Sequence, residues 1–328
     1  MTRPLSDPEV APASLPSLAS LSDALIGEVV KAFGVRRSPR TLRLFRPFFH
    51  RATDRLAALG LNFDTAVAEA GPAAAARDLL AEFCHPVRAS GAENIPLEGP
   101  TLIVSNHPGT YDSLALFSQV ARPDLRFISS SIPFVKALPH ASQRFIYVTI
   151  DAHARTAGVR QALRHLQNGG SVALFGSGHI DPDPAVYDPQ DSLAHIQGWW
   201  PSVEFLLNKA PSTNLVISMV SQVVSPRWAR HPITWLRRKG VDRRRLAELG
   251  QLIQQLLVPG LLASSPCISF SGPYPVGLLR QESGPGPLMP SILLHAADLL
   301  QRHLTEFDAG NFRPITLHID SAQLFTRI

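Results

Sequence analysis

The chain has 328 residues, 45% of them hydrophobic and 17% charged, against roughly 25% charged in an average soluble protein. That balance excludes a wholly disordered chain, which is charge-rich and apolar-poor. Lys and Arg number 31 against 26 Asp and Glu, a net +5 that is too mild to mark a nucleic-acid protein. The two cysteines, Cys84 and Cys267, lie far apart and supply neither a disulfide framework nor a zinc spacing.

The first twenty residues hold Asp7, Glu9 and four prolines, with no apolar core. They read as a disordered arm and not as a signal peptide. Residues 21–85 read as a helical module. Leu21, Leu25, Ile26, Val29, Val30 and Phe33 follow a helical period up to Gly34. A second helix is expected to stop at Gly60, and a third to start with Pro72 at its first position. From 86 to 328 the texture changes. TLIVSN (101–106), RFISS (126–130), FIYVTI (145–150), SVALF (171–175), NLVISMV (214–220) and CISF (267–270) are short apolar, β-branched runs. Helical patterns such as TAGVRQALRHLQNGG lie between them. Strands alternating with helices imply an α/β domain with a central, mostly parallel mixed sheet flanked by helices. Leu249 to Leu279 carries no charge, but glutamines, prolines and serines interrupt it. A membrane span needs ~20 predominantly apolar residues, so this stretch reads as buried protein and no transmembrane helix is expected.

Chemistry concentrates in Ser105-Asn106-His107-Pro108-Gly109-Thr110-Tyr111-Asp112, which follows a strand and opens a helix. His107 and Asp112 are five apart and would not share a face of one continuous helix. The spacing works if His107 sits in the loop and Asp112 caps the helix, with Pro108 and Gly109 turning the carboxylate back onto the imidazole. A carboxylate so placed fixes the tautomer and stabilises the imidazolium, which makes His107 a general base towards a hydroxyl. H-x4-D alone arises by chance; its place at the carboxyl end of a parallel strand is where α/β folds build sites.

Val87 to Pro96 followed by TLIVSNHPGTYDSLAL resembles the start of the phospholipid/glycerol acyltransferase superfamily, which includes the lysophosphatidic-acid acyltransferases. Its first motif, N-H-x4-D, is matched by Asn106, His107 and Asp112. The resemblance runs from about Val87 to about Pro275 and leaves the helical module uncovered. It implies transfer of a fatty acyl group from a thioester, acyl-CoA or acyl-carrier protein, to a hydroxyl of a lipid acceptor. His107 would be the base and Asp112 its orienting group, with no acyl-enzyme, cofactor or metal, and backbone N–H groups would hold the oxyanion. Asn106, Gly109 and Thr110 would contact substrate.

The later motifs depart from the family. In the second, FIYVTIDAHAR, Arg155 is the nearest arginine and is displaced. In the third, SVALFGSGHID, Ser177 takes the glutamate position, Gly178 is retained and Ile180 takes the arginine position. Gly176, Ser177 and Gly178 read equally as backbone donors to an anion and as a tight turn. An acceptor without a terminal phosphate is therefore expected, unless Arg155, Arg160 or Arg164 leans over the site. NLVISMV fits the unspecific fourth motif, and SFSGPYP resembles the family's late strand. The alternatives are a degenerate, lipid-binding member of the same fold and a serine hydrolase using Ser177. Phe175 and His179 break the G-x-S-x-G pattern that the second requires. A metal held by His107, Asp112, His179 and Asp181 is a weaker reading than loop polarity.

Segment 226–245 interleaves arginines with Trp228 and Trp235. Trp228, Trp235, Arg237, Arg238, Arg243 and Arg244 suit a surface that meets anionic lipid headgroups or a donor's phosphates. Leu44, Phe45, Phe48 and Phe49 among Arg40, Arg43, Arg46 and Arg51 form a second amphipathic stretch, with core packing expected for the phenylalanines. The expected setting is cytoplasmic and peripheral on an anionic membrane, with no nucleic-acid partner.

Overall fold

The computed structural model describes residues 16–148 and 152–307, with the side chains of 152–155 outside that description. Three helices come first. Helix α1 (Leu18–Ala32) starts on Ser17, whose hydroxyl accepts the Ser20 N–H, and buries Leu21, Leu25, Ile26, Val29 and Val30. Helix α2 (Pro39–Ala70) opens with a reciprocal capping box between Ser38 and Thr41 and a proline in its first turn. It continues through Gly60, where the sequence suggested a stop. A Cβ at Gly60 would fall 2.4 Å from the Phe134 ring, so this glycine permits close packing and ends nothing. The break comes at Gly71, with φ +82, just before α3 (Pro72–Ala81) and its leading proline.

The α/β part follows in the order β1 (Arg88–Ser90), β2 (Thr101–Ser105), α4 (Asp112–Gln119), β3 (Arg126–Ser130), α5 (Pro133–Lys136), β4 (Phe145–Val148) and α6 (Ala152–Gln167). Then come β5 (Ser171–Phe175), α7 (Pro189–Gln197), α8 (Ser202–Lys209), β6 (Asn214–Ser221), α9 (Pro226–Ala229) and α10 (Gly240–Leu257). The chain goes on through β7 (Cys267–Phe270), β8 (Tyr274–Pro275), α11 (Val276–Ser283) and α12 (Met289–Phe307). The sheet runs β1-β7-β6-β2-β5-β3-β4, with β8 beside β6. Pairs β1/β7, β2/β6, β2/β5, β3/β5 and β3/β4 are parallel, while β6 meets β7 and β8 antiparallel.

Both faces of the sheet are covered, which is why the central strands read as unbroken apolar runs. Successive residues point to opposite faces. Leu102 and Val104 of β2 join Val172, Leu174, Leu215 and Ile217 in a core with α6, α7, α8, α11 and α12. Ile103 joins Ala173, Val216 and Val220 in a second core with α3, α4 and α10. The uncharged stretch from 249 to 279 is divided among α10, β7, β8 and α11. Among the described residues no helix is long and apolar enough to cross a membrane.

Candidate active site

Strands β2 and β5 lie side by side in register, with Ser105 opposite Phe175. The chain leaving β2 therefore emerges next to the end of β5, and the His107 ring stacks flat on Phe175, centroids 3.9 Å apart at 2°. Helix α4 begins at Asp112 itself, and the cap position that the sequence assigned to Asp112 is held one residue earlier by Tyr111. Asp112 is buried and fully used. Its Oδ2 meets His107 Nδ1 at 2.7 Å and accepts the Gly109 N–H at 3.0 Å, while Oδ1 accepts the Ser113 N–H at 2.6 Å. With Nδ1 engaged, Nε2 is the nitrogen left for chemistry. Burial pulls the His107 pKa down, but the charge and hydrogen bond of Asp112, with Glu248 and Asp181, outweigh it and raise the net value.

Four further side chains converge here from distant segments. Asp181, just after β5, accepts the His107 N–H at 2.8 Å through Oδ2 and returns its own N–H to the His107 carbonyl at 2.7 Å. Its Oδ1 meets Nδ1 of His195 on α7 at 3.0 Å, a second His–Asp pair beside the first. Two residues one turn apart on α10 reach the same place. Arg244 donates Nε–H to the Ile180 carbonyl at 3.0 Å, and burial lowers its pKa. Glu248 accepts the Thr110 hydroxyl at 3.0 Å, and desolvation raises its carboxyl to about 8. Asp181 was visible in the sequence as a polar residue after a strand; Glu248 and His195 carried no motif.

The wall beside the loop is held by Asp183. This buried carboxylate accepts N–H groups of Gln222 and Ala185 on Oδ1, at 3.0 and 3.1 Å, and of Val223 and Val224 on Oδ2, at 2.9 and 3.2 Å. Val223 and Val224 in turn press on Gly109, where a Cβ would lie 3.2 Å from a methyl of each.

Several expected contacts are engaged elsewhere. Asn106 binds the main chain of Val220 in both directions, at 2.9 and 2.8 Å, and so clasps β2 to β6. The N–H groups of Gly176 and Gly178 go to the carbonyls of Ser105 and Phe175, as in a tight turn. Ser177 donates its hydroxyl to the main-chain carbonyl of His179 at 2.9 Å, which is not how a nucleophile is activated. The Arg155 side chain lies outside the described residues. Trp228 is partly covered, donating to Gln254 at 2.6 Å and packing over Gly250 on α10. Arg237 is paired with Asp242 at 2.8 Å and lies against Gly34, and Arg244 turns inward as described. Trp235, Arg238 and Arg243 are exposed, and segment 226–245 is divided among α9, a 3-10 turn (Pro232–Leu236) and the start of α10. Among the described residues no three His, Cys, Asp or Glu side chains gather as a metal site would require.

No curated relative matches the chain. It is similar to the crystal structure of the 1-acyl-sn-glycerophosphate (LPA) acyltransferase PlsC from Thermotoga maritima. That similarity is 14% in identity, covers 89% of this chain and 97% of that one, and has a TM-score of 0.42. A family model described as Acyltransferase matches residues 86–199. The matched stretch carries the His107–Asp112 pair, the β5 turn and Asp181.

Proposed function

We propose that the protein moves a fatty acyl group from a thioester, acyl-CoA or acyl-carrier protein, to a hydroxyl of a lipid acceptor. The observation that carries this reading is the 2.7 Å contact between His107 Nδ1 and Asp112, within a family-matched segment, which leaves Nε2 for the acceptor. His107 takes the hydroxyl proton at Nε2 as the acceptor oxygen attacks the thioester carbonyl. Asp112 keeps the other proton on Nδ1 and stabilises the imidazolium. Collapse of the tetrahedral intermediate breaks the C–S bond, and the departing thiolate takes the proton from Nε2. Phe175 beneath the ring limits its rotation. The acceptor is placed at an anionic membrane surface.

The test is a panel of acyl thioesters with lipid extracts, read by mass spectrometry. His107→Ala is expected to lower the rate ~10²–10⁴-fold, the usual worth of a general base. The active form is the neutral imidazole, so activity rises with pH through a value above the ordinary 6.5. Asp112→Asn removes the charge that raises it. This variant should shift that rise to lower pH while reducing the maximal rate by no more than His107→Ala does. Full activity in His107→Ala would defeat the mechanism.

A further inference from the structure

An acyl transfer develops negative charge on the carbonyl oxygen, and that charge needs donors already in place. Two N–H groups of the third-motif turn are already committed, since those of Gly176 and Gly178 bond to main-chain carbonyls. Glu248 presents the opposite situation. Its Oε2 is held by the Thr110 hydroxyl, while Oε1 is shielded from solvent and has no hydrogen-bond partner. Its carboxyl carbon would lie 3.6 Å from a Cβ on Gly109, so it rests against the loop that carries His107. A buried polar oxygen without a partner costs about 1–3 kcal/mol, and such an atom in a folded protein calls for an explanation.

We propose that Glu248 is the oxyanion donor of this site, a carboxylic acid whose Oε1–H binds the thioester carbonyl oxygen as it becomes negative. The inference rests on the acyl-transfer reading. The carboxyl is suited to donate, because burial raises it to about 8 and leaves it protonated at neutral pH. The charged and titratable groups facing it are His107 and Asp112 on the loop and α4, Tyr111, Tyr187 after β5, and Arg244 and Arg245 on its own helix. No proton leaves Glu248 in the reaction. The acceptor proton passes to His107 Nε2 and on to the thiolate, the new C–O bond replaces the C–S bond, and the oxyanion returns to a carbonyl.

The experiment compares pH–rate profiles of wild type, Glu248→Gln and Glu248→Ala, with an infrared titration of the Glu248 carboxylic C=O band. The wild-type kcat should fall as pH rises through about 8, where Glu248 loses its proton. Gln can accept from Thr110 with its oxygen and donate with its nitrogen, and it cannot ionise. It should stay within about ten-fold of wild type and lose the alkaline fall. Ala removes the donor, and kcat should drop ~10²–10³-fold with a smaller change in KM. An alkaline fall that persists in the Gln variant, or a folded Ala variant with wild-type kcat, overturns the proposal. So does the absence of a carboxylic band at neutral pH, whether or not the enzyme is active. A band that titrates near 8 in a protein transferring no acyl group would instead remove the acyl-transfer reading, and the donor role with it.

Discussion

Arg244 and Ile180 bear on what the acceptor is. In the resemblance to the acyltransferases, Ile180 stands at the position of the third-motif arginine, and its buried side chain offers no charge. A charge-assisted bond contributes about 1.5–3 kcal/mol, so its loss weakens phosphate selection roughly ten-fold or more. The fold nevertheless brings a guanidinium to that position, since Arg244 bonds the Ile180 carbonyl. The carboxylates around Arg244, Asp181 and Asp191, oppose an added anion there. Lysophosphatidic acid is therefore expected to compete no better than its dephosphorylated analogue. Should the phosphate compound win, the expectation fails, and loss of that advantage in Arg244→Ala would name the arginine responsible.

Among the elements, the link between the end of β6 and α9 is the one that a single side chain sustains. Asp183 replaces four missing main-chain partners with its two oxygens, and it fixes the valines that touch Gly109. Asparagine has the same shape but turns an N–H₂ towards two of those N–H groups. Asp183→Asn should cost about 1–3 kcal/mol, the penalty for buried donors left unpartnered, seen as a lower denaturant midpoint. Desolvation raises the Asp183 carboxyl from 3.8 to about 6. A carboxyl that binds its proton more tightly when folded contributes less stability as pH rises from 3.8 to about 6, and a constant amount above. The variant should lack that decline, and an unchanged midpoint with an unchanged slope would dismiss the clasp.

How the elements could be read in advance follows from their burial. Strands β2, β3 and β5 are paired on both edges, and β2 and β5 are fully buried along nearly their whole length. Their signal is thus a compact apolar run bounded by turn residues, which is local and legible. The His107–Asp112 pair was equally legible, because the loop that closes it is six residues long. Gly60 misled, since a glycine that admits a neighbouring ring looks like one that ends a helix. Glu248 left no trace, because it meets Thr110 across 138 positions and only tertiary packing brings α10 to the loop. The third-motif turn read equally as an anion site and as a tight turn, since glycine spacing does not reveal where the N–H groups go.

For the molecule as a whole, charge and exposed apolar surface coincide in one region. Arg237 lies against Gly34, so the end of α1 and the approach to α10 are neighbours. Next to this junction Trp235 is 70% exposed and Leu236 68%, beside exposed Arg238, Lys239 and Arg243. Arg36 and Arg37, just after α1, and Arg40 and Arg43, in the first turns of α2, are exposed as well. Phe45 and Phe49 pack edge-on and tilted against Phe33, as a packing role requires, but Leu44 and Phe48 of the same helix stay 64% and 74% exposed. Arginines around exposed aromatic and aliphatic side chains suit an anionic lipid surface, where the charges attract and the apolar groups insert. Binding to anionic vesicles should exceed binding to neutral ones and weaken with salt, since exposed charges are screened over ~8 Å at physiological ionic strength. Arg237 and Arg244 brace the fold and should be left intact. Replacing Arg238, Arg243 and Arg245 together by Gln should remove the preference for anionic lipid, and Trp235→Ser should weaken binding to both kinds of vesicle. Equal partitioning of the wild type onto neutral and anionic vesicles in a sedimentation assay would reassign the region to donor phosphates or to solvent.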